Sequence, residues 1–496
     1  MPLRMWTLDI AREQSPTYEH LTQYAKFSLD SGYDSLGLYL EHRFAYPSAP
    51  WAHGTGCVTP EMVKSLRQEF PALQIVPFVN LLGHMEGFLN CEPGRAFRET
   101  KFKGMQGCPC NPEFVRFCEG LLDDTLTAFD SELVHIGGDE TWELAKCPQC
   151  AGKPKAELYG DHFAPLLQKV VAKGRRPAVW GDMFLDHPAA LATVPKETLI
   201  FDWQYHNGLE ESTPKLQVHG HCIVGCPTLH VFDAAWMHLT ESEQNVREVS
   251  RDASELGLEG VCLTTWECGL FGAYDTVLPA VGWARGVMDQ PDSEAPLADA
   301  YGPDKEWARL MGAELNAIGG VFAFDGHRNR LKCRLLLFAN PFLAWMHHAD
   351  QLAGEDGSKA IALCEQAIFA TRDEGCKGVA MFVRGAVEFV RMAEAAHLHY
   401  CNGEPERAVK ALAPTRHVFD TLETLARRTH ERIGGSLADV ERCKVAREHC
   451  ERVIRRIQKY GRGELGYTPA FDVLTHPQFV PHDQAVWWGV NKWGSE

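Results

Sequence analysis

Residues 133–143 read LVHIGGDETWE. An apolar run passes through a histidine into two glycines, and two carboxylates, Asp139 and Glu140, stand side by side after them. Successive side chains of a strand point to opposite faces. Adjacent acids at a strand end therefore serve one pocket only if the chain turns there, and the two glycines allow that turn. A buried strand whose C-terminal end carries polar chemistry is the repeating unit of parallel α/β folds.

Seven more short apolar runs accompany it: RMWTLDI (4–10), DSLGLYL (34–40), LQIVPFV (73–79), PAVWGD (177–182), TLIFDW (198–203), HCIVGC (221–226) and GVCLTTW (260–266). Helix-like segments lie between them, such as 112–129 and 241–257. Eight strand–helix units over the first 290 residues predict an α/β fold of the (β/α)8 TIM barrel type, with parallel strands and right-handed crossovers. An open doubly wound sheet is the alternative, and no glycine fingerprint follows the first strand to favour it. Residues 291–306, rich in Pro, Asp and Ala, read as a linker, and helical spacing dominates 307–496. The expected organisation is a catalytic barrel followed by an α-helical C-terminal domain. Apolar residues and histidines at three and four spacing in that domain read as helix-packing residues.

The chain has 496 residues with 45% hydrophobic and 23% charged content, as a globular protein of more than one core would. A net charge of -17 argues against nucleic acid or an anionic membrane as partner. No apolar run is long enough to span a bilayer, and MPLRMWTLDI contains no secretory h-region. Seventeen cysteines, an odd number scattered along the chain, suggest reduced thiols in a cytoplasmic protein.

A barrel of this kind places its chemistry at the C-terminal strand ends. Those ends carry Asp9 and Arg12, Glu41 and Tyr46, Asn80, His84 and Glu86, then Asp139, Glu140 and Trp142. Trp180 and Asp182, Trp203 and Tyr205, His230 and Asp233, and Trp266 and Glu267 follow. Any single tryptophan here could be a rim residue. Carboxylates together with tryptophans at several ends are what a sugar site needs, because aromatic faces stack on the C–H face of a pyranose while charged groups bind its hydroxyls. Two adjacent acids suit neither the ~5–5.5 Å pair of a retaining glycosidase nor the wider inverting pair. They suit a mechanism in which the second carboxylate never attacks the sugar.

HIGGDE resembles the signature of glycoside hydrolase family 20, the β-N-acetylhexosaminidases. LDIAREQSP, VPFVNLLGHMEGFL, VWGDM and LTTWECG are similar to other segments of that family, in the same order. Tyr39, Glu41, Phe44 and Tyr46 resemble the second strand of its intracellular hexosaminidase D-like branch. The resemblance implies an exo-acting enzyme that removes terminal β-linked GlcNAc or GalNAc with substrate assistance and retention, and without a catalytic cofactor. It implies Glu140 as general acid and base, Asp139 as holder of the acetamido N–H, and Arg12 as a hydroxyl-binding group. Glu41, His84, Trp180, Asp182, Trp203, Trp266 and Glu267 complete the implied substrate site. Asp139 would also raise the Glu140 pKa through like charge. Two departures stand out. The segment GCPTLHVFDAAW lacks the family's acetamide-supporting tyrosine, and Trp266 and Glu267 are adjacent where the family often has Trp-x-Glu.

Cys108 and Cys110 (GCPCNPE) and Cys147 and Cys150 (KCPQCAGK) fall on loops after the third and fourth strands. They could meet as a closed, non-catalytic four-cysteine zinc site. Free thiols or a disulfide are the alternatives. The expected partner is a glycan or amino-sugar substrate, with a homodimer through the helical domain a further option. Three rival readings remain: a P-loop ATPase, for which GxxxxGK[ST] is missing; a non-catalytic carbohydrate-binding barrel; and a retaining β-glycosidase with Glu41 or Glu267 as nucleophile.

Overall fold

The computed structural model describes residues 2–11, 16–54, 56–101, 104–232, 234, 236–266, 274–318, 323–324, 327–328, 355–433 and 438–467. Eight parallel strands close into a barrel in sequence order. They are β1 (Leu3–Asp9), β2 (Ser35–Tyr39), β3 (Gln74–Phe78), β4 (Leu133–His135), β5 (Arg176–Trp180), β6 (Leu199–Trp203), β7 (Cys222–Cys226) and β8 (Gly260–Thr265). Strands of such a barrel are buried on both faces, one against its interior and one against helices. Each therefore reads as a continuous apolar run, and each observed strand lies within a residue or two of the expected one.

The intervening helices carry their start signals in the sequence. In α1 (Tyr18–Asp30) the Thr17 side chain accepts from the amide of His20. In α2 (Pro60–Glu69) Thr59 caps Met62 and proline occupies the first turn. In α3 (Pro112–Ala128) Asn111 caps Glu113 and Phe114, again with proline following. Proline fits there because that amide has no helical partner. The next helices are α4 (Lys155–Ala172), α5 (Leu239–Glu255) and α6 (Leu278–Asp289).

The barrel interior is filled by Met5, Tyr39, Val76, Phe78, Trp180, Phe201, Val224 and Cys262, among others. His135 sits among the rings of Phe78, Trp180 and Phe201, at centroid distances of 4.3, 4.4 and 4.8 Å. Burial pushes its pKa down to about 3, so the ring is neutral, and its Nδ1 accepts the amide of Gly137 at 3.1 Å. Closure runs through β1 and β8, with Met5 opposite Cys262. The Trp6 indole donates to Thr265 Oγ1 at 3.1 Å, and that hydroxyl donates to the Thr7 carbonyl at 2.9 Å.

The chain divides into two compact units. The barrel comprises the described residues of 1–229, 241–267 and 279–295, and the second unit those of 230–240, 268–278 and 296–496. The second unit is thus not a simple C-terminal appendage. Part of the segment read as a linker is structured, with a 3-10 stretch at Leu297–Asp304 that buries Leu297 and Tyr301. Trp236 and Trp307 pack with centroids 4.5 Å apart, and the Trp236 indole donates to Thr276 Oγ1 at 2.9 Å. The longer described helices of this unit are α7 (Glu355–Ala370), α8 (Glu374–Cys401), α9 (Pro405–Leu412), α10 (Thr415–Ile433) and α11 (Ala438–Gly461). No described helix is long and apolar enough to cross a membrane.

Closure leaves no room at the head of β8. A Cβ on Gly260 would lie 2.2 Å from the carbonyl oxygen and 2.5 Å from the amide nitrogen of Leu3. Backbone cannot swing aside as a flexible side chain can. Gly260→Ala is expected to lower the stability of the barrel by about 1–3 kcal/mol, the usual cost of overpacking. Chemical denaturation followed by tryptophan fluorescence checks this; an unchanged midpoint would refute it.

Candidate active site

The turn after β4 presents the acids. Gly137 and Gly138 have φ of +76° and +100°, and Glu140 itself has φ of +50°. A Cβ on Gly138 would lie 2.5 Å from the Tyr159 hydroxyl, which donates to the Gly138 carbonyl at 2.8 Å. Only glycine fits that close approach. The left-handed residue at 140 then swings the second carboxylate back beside the first. As a result, His84 Nε2 stands 3.3 Å from Asp139 Oδ2 and 3.1 Å from Glu140 Oε2.

His84 reaches this position from the loop after β3 with its own φ of +51°. The preceding Gly83 packs so close that a Cβ there would meet the Asp139 carbonyl oxygen at 2.7 Å. Burial alone would lower the His84 pKa, but the two carboxylates outweigh it and hold the ring well above the usual histidine range. Burial alone would raise the Asp139 pKa, but the His84 imidazolium overcomes it and holds the carboxyl below the usual aspartate value. The two acids are thus bridged by a cation, where the sequence suggested a bare like-charge pair.

Asp182, at the end of β5, orients the pair. Its Oδ2 accepts the Glu140 amide at 2.8 Å, and its Oδ1 accepts the Trp203 indole at 3.3 Å. Burial, then the charge of Asp139, raises its pKa well above the ordinary aspartate value. Asp182 was expected to bind substrate; the contacts it makes here position Glu140 and Trp203.

The aromatic residues divide into floor and walls. Trp180 is buried beneath the site, 5.9 Å from Trp266 by ring centroids. Trp203, Tyr205 and Trp266 are half-buried. The Trp266 indole donates to the Tyr205 hydroxyl at 2.6 Å, and the rings of Trp203 and Tyr205 lie tilted with centroids 5.0 Å apart. Tyr39 contacts Trp266 edge-on at 4.9 Å and accepts Asn80 Nδ2 at 2.7 Å. Glu41 is buried at the end of β2 with φ of +38°. Phe44 and Tyr46 pack together as core. Arg12, Asp233 and Glu267 lie outside the described residues.

Among the described residues, buried polar atoms at these strand ends without a hydrogen-bond partner include Asp139 Oδ1, Asn80 Oδ1 and Trp180 Nε1. Each orphaned buried group calls for an explanation, and a ligand that completes the bonding is one of them.

The cysteine pairs also meet, with a changed membership. Glu99, Cys108, Cys147 and Cys150 bring one donor atom each within 4.8 Å of one another. Cys110 is outside that set but adjoins it, interacting with the Cys150 side chain and accepting Lys153 Nζ at 3.1 Å. The mutually close set thus contains a buried glutamate, Glu99, beside three of the four expected cysteines. No spacing pattern announced Glu99. Nor did any motif announce that His84 would bridge the acids, although the strained GH turn is visible in the sequence.

Carboxylates, a bridging histidine and tryptophan walls stand at the C-terminal mouth of a (β/α)8 barrel, the face where such barrels carry their active sites. Residues 79–258 match the family model described as glycosyl hydrolase family 20, catalytic domain. A β-hexosaminidase of Akkermansia muciniphila is 26% identical over 167 residues, covering 29% of this chain. The chain matches about a third of that relative's length, 32%. Among solved structures, a β-N-acetylhexosaminidase from Bacteroides fragilis NCTC 9343 shares 16% identity at a TM-score of 0.48, over 63% of this chain and 72% of that one. A family 20 exo-β-N-acetylglucosaminidase from Vibrio harveyi, in complex with N-acetylglucosamine, shares 16% at 0.48, over 63% and 57%.

The signs of the two shifts give a pH window. The raised His84 pKa stabilises the fold below the ordinary value of 6.5, and this is lost as pH rises through the folded-state value. The lowered Asp139 pKa stabilises it above 3.8, and this is lost as pH falls through the folded-state value. In His84→Gln, Asp139 loses its cation while staying buried beside two other carboxyls. The acidic limb of the kcat/KM profile is expected to move up by about 1–3 pH units. A variant profile that overlays the wild type would remove His84 from the charge network.

Proposed function

We propose that the barrel is an exo-acting β-N-acetylhexosaminidase that cleaves terminal β-linked GlcNAc or GalNAc by retaining, substrate-assisted catalysis. One observation carries the reading: Asp139 has one oxygen held by His84 and the other, Oδ1, buried without a partner among the described residues. An acceptor-only oxygen in that state fits an N–H donor on the substrate, and the 2-acetamido group supplies one beside the anomeric carbon. The family match and the curated relative support the same assignment.

In the first step the acetamido carbonyl oxygen bonds to C1 as the C1–O glycosidic bond breaks. The Glu140 carboxyl proton passes to the leaving oxygen, and an oxazolinium ion remains. Asp139 accepts the acetamido N–H and balances the positive charge that develops on it. In the second step Glu140, now a carboxylate, takes a proton from water while the water oxygen bonds to C1 and the ring reopens. Two inversions give net retention. Glu140 suits the acid role by access, since its side chain is 28% exposed against 14% for Asp139. Asp182 holds the amide of Glu140, and Trp203, Tyr205 and Trp266 offer faces to the sugar. Arg12 is assigned the hydroxyls remote from the scissile bond. The reaction needs no cofactor, and a zinc at the cysteine cluster would be structural.

Aryl β-GlcNAc, β-GalNAc and β-Glc assayed with wild type, Glu140→Gln and Asp139→Asn test this reading. Only the acetamido sugars should turn over. Glu140→Gln is expected to lose about 10²–10⁴-fold in kcat, the range for general acid–base catalysis, with a larger loss as the phenol leaving group becomes more basic. Cleavage of the β-glucoside would show an enzyme nucleophile instead, and wild type inert on all three would sink the assignment.

A further inference from the structure

Two loops at the barrel mouth are tied to each other away from the acids. Within the loop after β3, the Glu99 amide donates to the Gln106 carbonyl at 2.9 Å, and the Cys108 amide donates to the Phe97 carbonyl at 2.8 Å. Between the loops, Glu99 Oε1 accepts the amides of Lys146 and Cys147, both at 2.9 Å. The Glu143 amide donates to Gln106 Oε1 at 3.0 Å, and Thr100 Oγ1 donates to Glu143 Oε2 at 2.9 Å. Where the loops meet, Cys108 Sγ is 3.4 Å from both Cys147 Sγ and Cys150 Sγ, and Cys150 Sγ is 3.5 Å from Glu99 Oε2. Glu99, Cys108 and Cys150 are buried, and Cys147 is half-buried.

We propose that Cys108, Cys147, Cys150 and Glu99 form a closed tetrahedral zinc site that fixes the loop of His84 against the loop of Asp139 and Glu140. Zn–S bonds of ~2.3 Å in a tetrahedron put sulfurs about 3.8 Å apart. The observed sulfur spacings are near that edge and far from the ~2.05 Å of a disulfide. A disulfide would also use only one of the two sulfurs equidistant from Cys108. Thiolates with one carboxylate favour zinc over the hard cations magnesium and calcium. The backbone has the tight turns such ligands need: the Cys150 and Ala151 amides donate to the Cys147 carbonyl at 3.1 and 2.8 Å, and the Asn111 amide donates to the Cys108 carbonyl at 3.0 Å. Glu99 ligates through Oε2 because Oε1 is already held by two amides. Binding displaces the three thiol protons to solvent as the metal–sulfur bonds form. All four positions are taken by protein, so the metal activates no water.

The test is metal analysis of the full chain purified without chelator, with cobalt substitution as a second readout. About one zinc per chain is expected, as for a structural site, with thiolate-to-cobalt charge transfer and tetrahedral d–d bands after exchange. Cys108→Ser, Cys150→Ser and Glu99→Gln should lose the metal, whereas Cys110→Ser should keep it. Chelation should lower Tm without changing the preference for acetamido sugars, which separates this proposal from the assignment of activity. Wild type free of zinc and unable to take up cobalt overturns it, as does loss of metal in Cys110→Ser with retention in Glu99→Gln. The wild-type cobalt spectrum decides the matter should the variants fail to fold.

Discussion

The site depends on one imidazolium. Asp139, Glu140 and Asp182 converge at neighbouring strand ends, and a barrel mouth is a poor place to bury negative charge. At an effective dielectric of ~20, a unit pair 3.3 Å apart attracts by on the order of 5 kcal/mol before desolvation. Burying an ionised group shifts its pKa by up to ~3–5 units, on the order of 4–7 kcal/mol. One pair would leave the outcome near balance. His84 faces two carboxylates for a single burial, which is why the histidine stays charged and Asp139 stays ionised. Among the described residues Nδ1 of His84 has no partner, and the compensation comes from the Nε2 side.

That arrangement explains why adjacent residues can hold separate roles. In a two-carboxylate glycosidase, distance keeps the acids apart in function. Here the backbone does so. The positive φ of Glu140 and the bond from its amide to Asp182 turn its carboxylate toward the open side, while Asp139 remains deeper with one oxygen fixed by His84. Asp182 carries the raised pKa that like charge and burial produce, and the indole of Trp203 is held by the same carboxyl. Acid orientation and aromatic wall are thus set by one side chain.

The fold was legible because barrel strands are apolar on both faces and their helices begin with marked caps, as at Thr59-Pro60 and Asn111-Pro112. The acid pair was legible because its glycines and carboxylates are contiguous. What the sequence hid was contact across the chain. His84 looked like one polar strand-end residue among many, and its bridging role follows from a left-handed backbone that only tertiary packing sustains. Glu99 belongs to no motif; it joins the cysteines because the loop after β3 folds back on itself through Gln106 and Phe97. Asp182 and Trp180 were found as strand-end residues, but which face of each strand end they serve is decided by burial. The interleaving of the two units was also hidden, since 230–240 lies between barrel strands in sequence while grouping with the second unit.

Catalytic geometry in this mouth is therefore a matter of loops held by other loops. Loops tolerate movement, and a displacement of about 1 Å can cost on the order of 10²-fold in rate. The chain counters this by placing His84 and the acid pair on neighbouring loops and joining those loops through buried groups: Glu99 accepts the amides of Lys146 and Cys147, and Gln106 accepts the amide of Glu143. Each missing partner in a buried polar network leaves a desolvated group behind, as at the Gln106 side-chain nitrogen, which has none among the described residues. The thiols of Cys108, Cys147 and Cys150 lie at the centre of that junction. A metal drawing them together would transmit its rigidity through Glu143, one residue past Trp142, into the turn that presents Glu140.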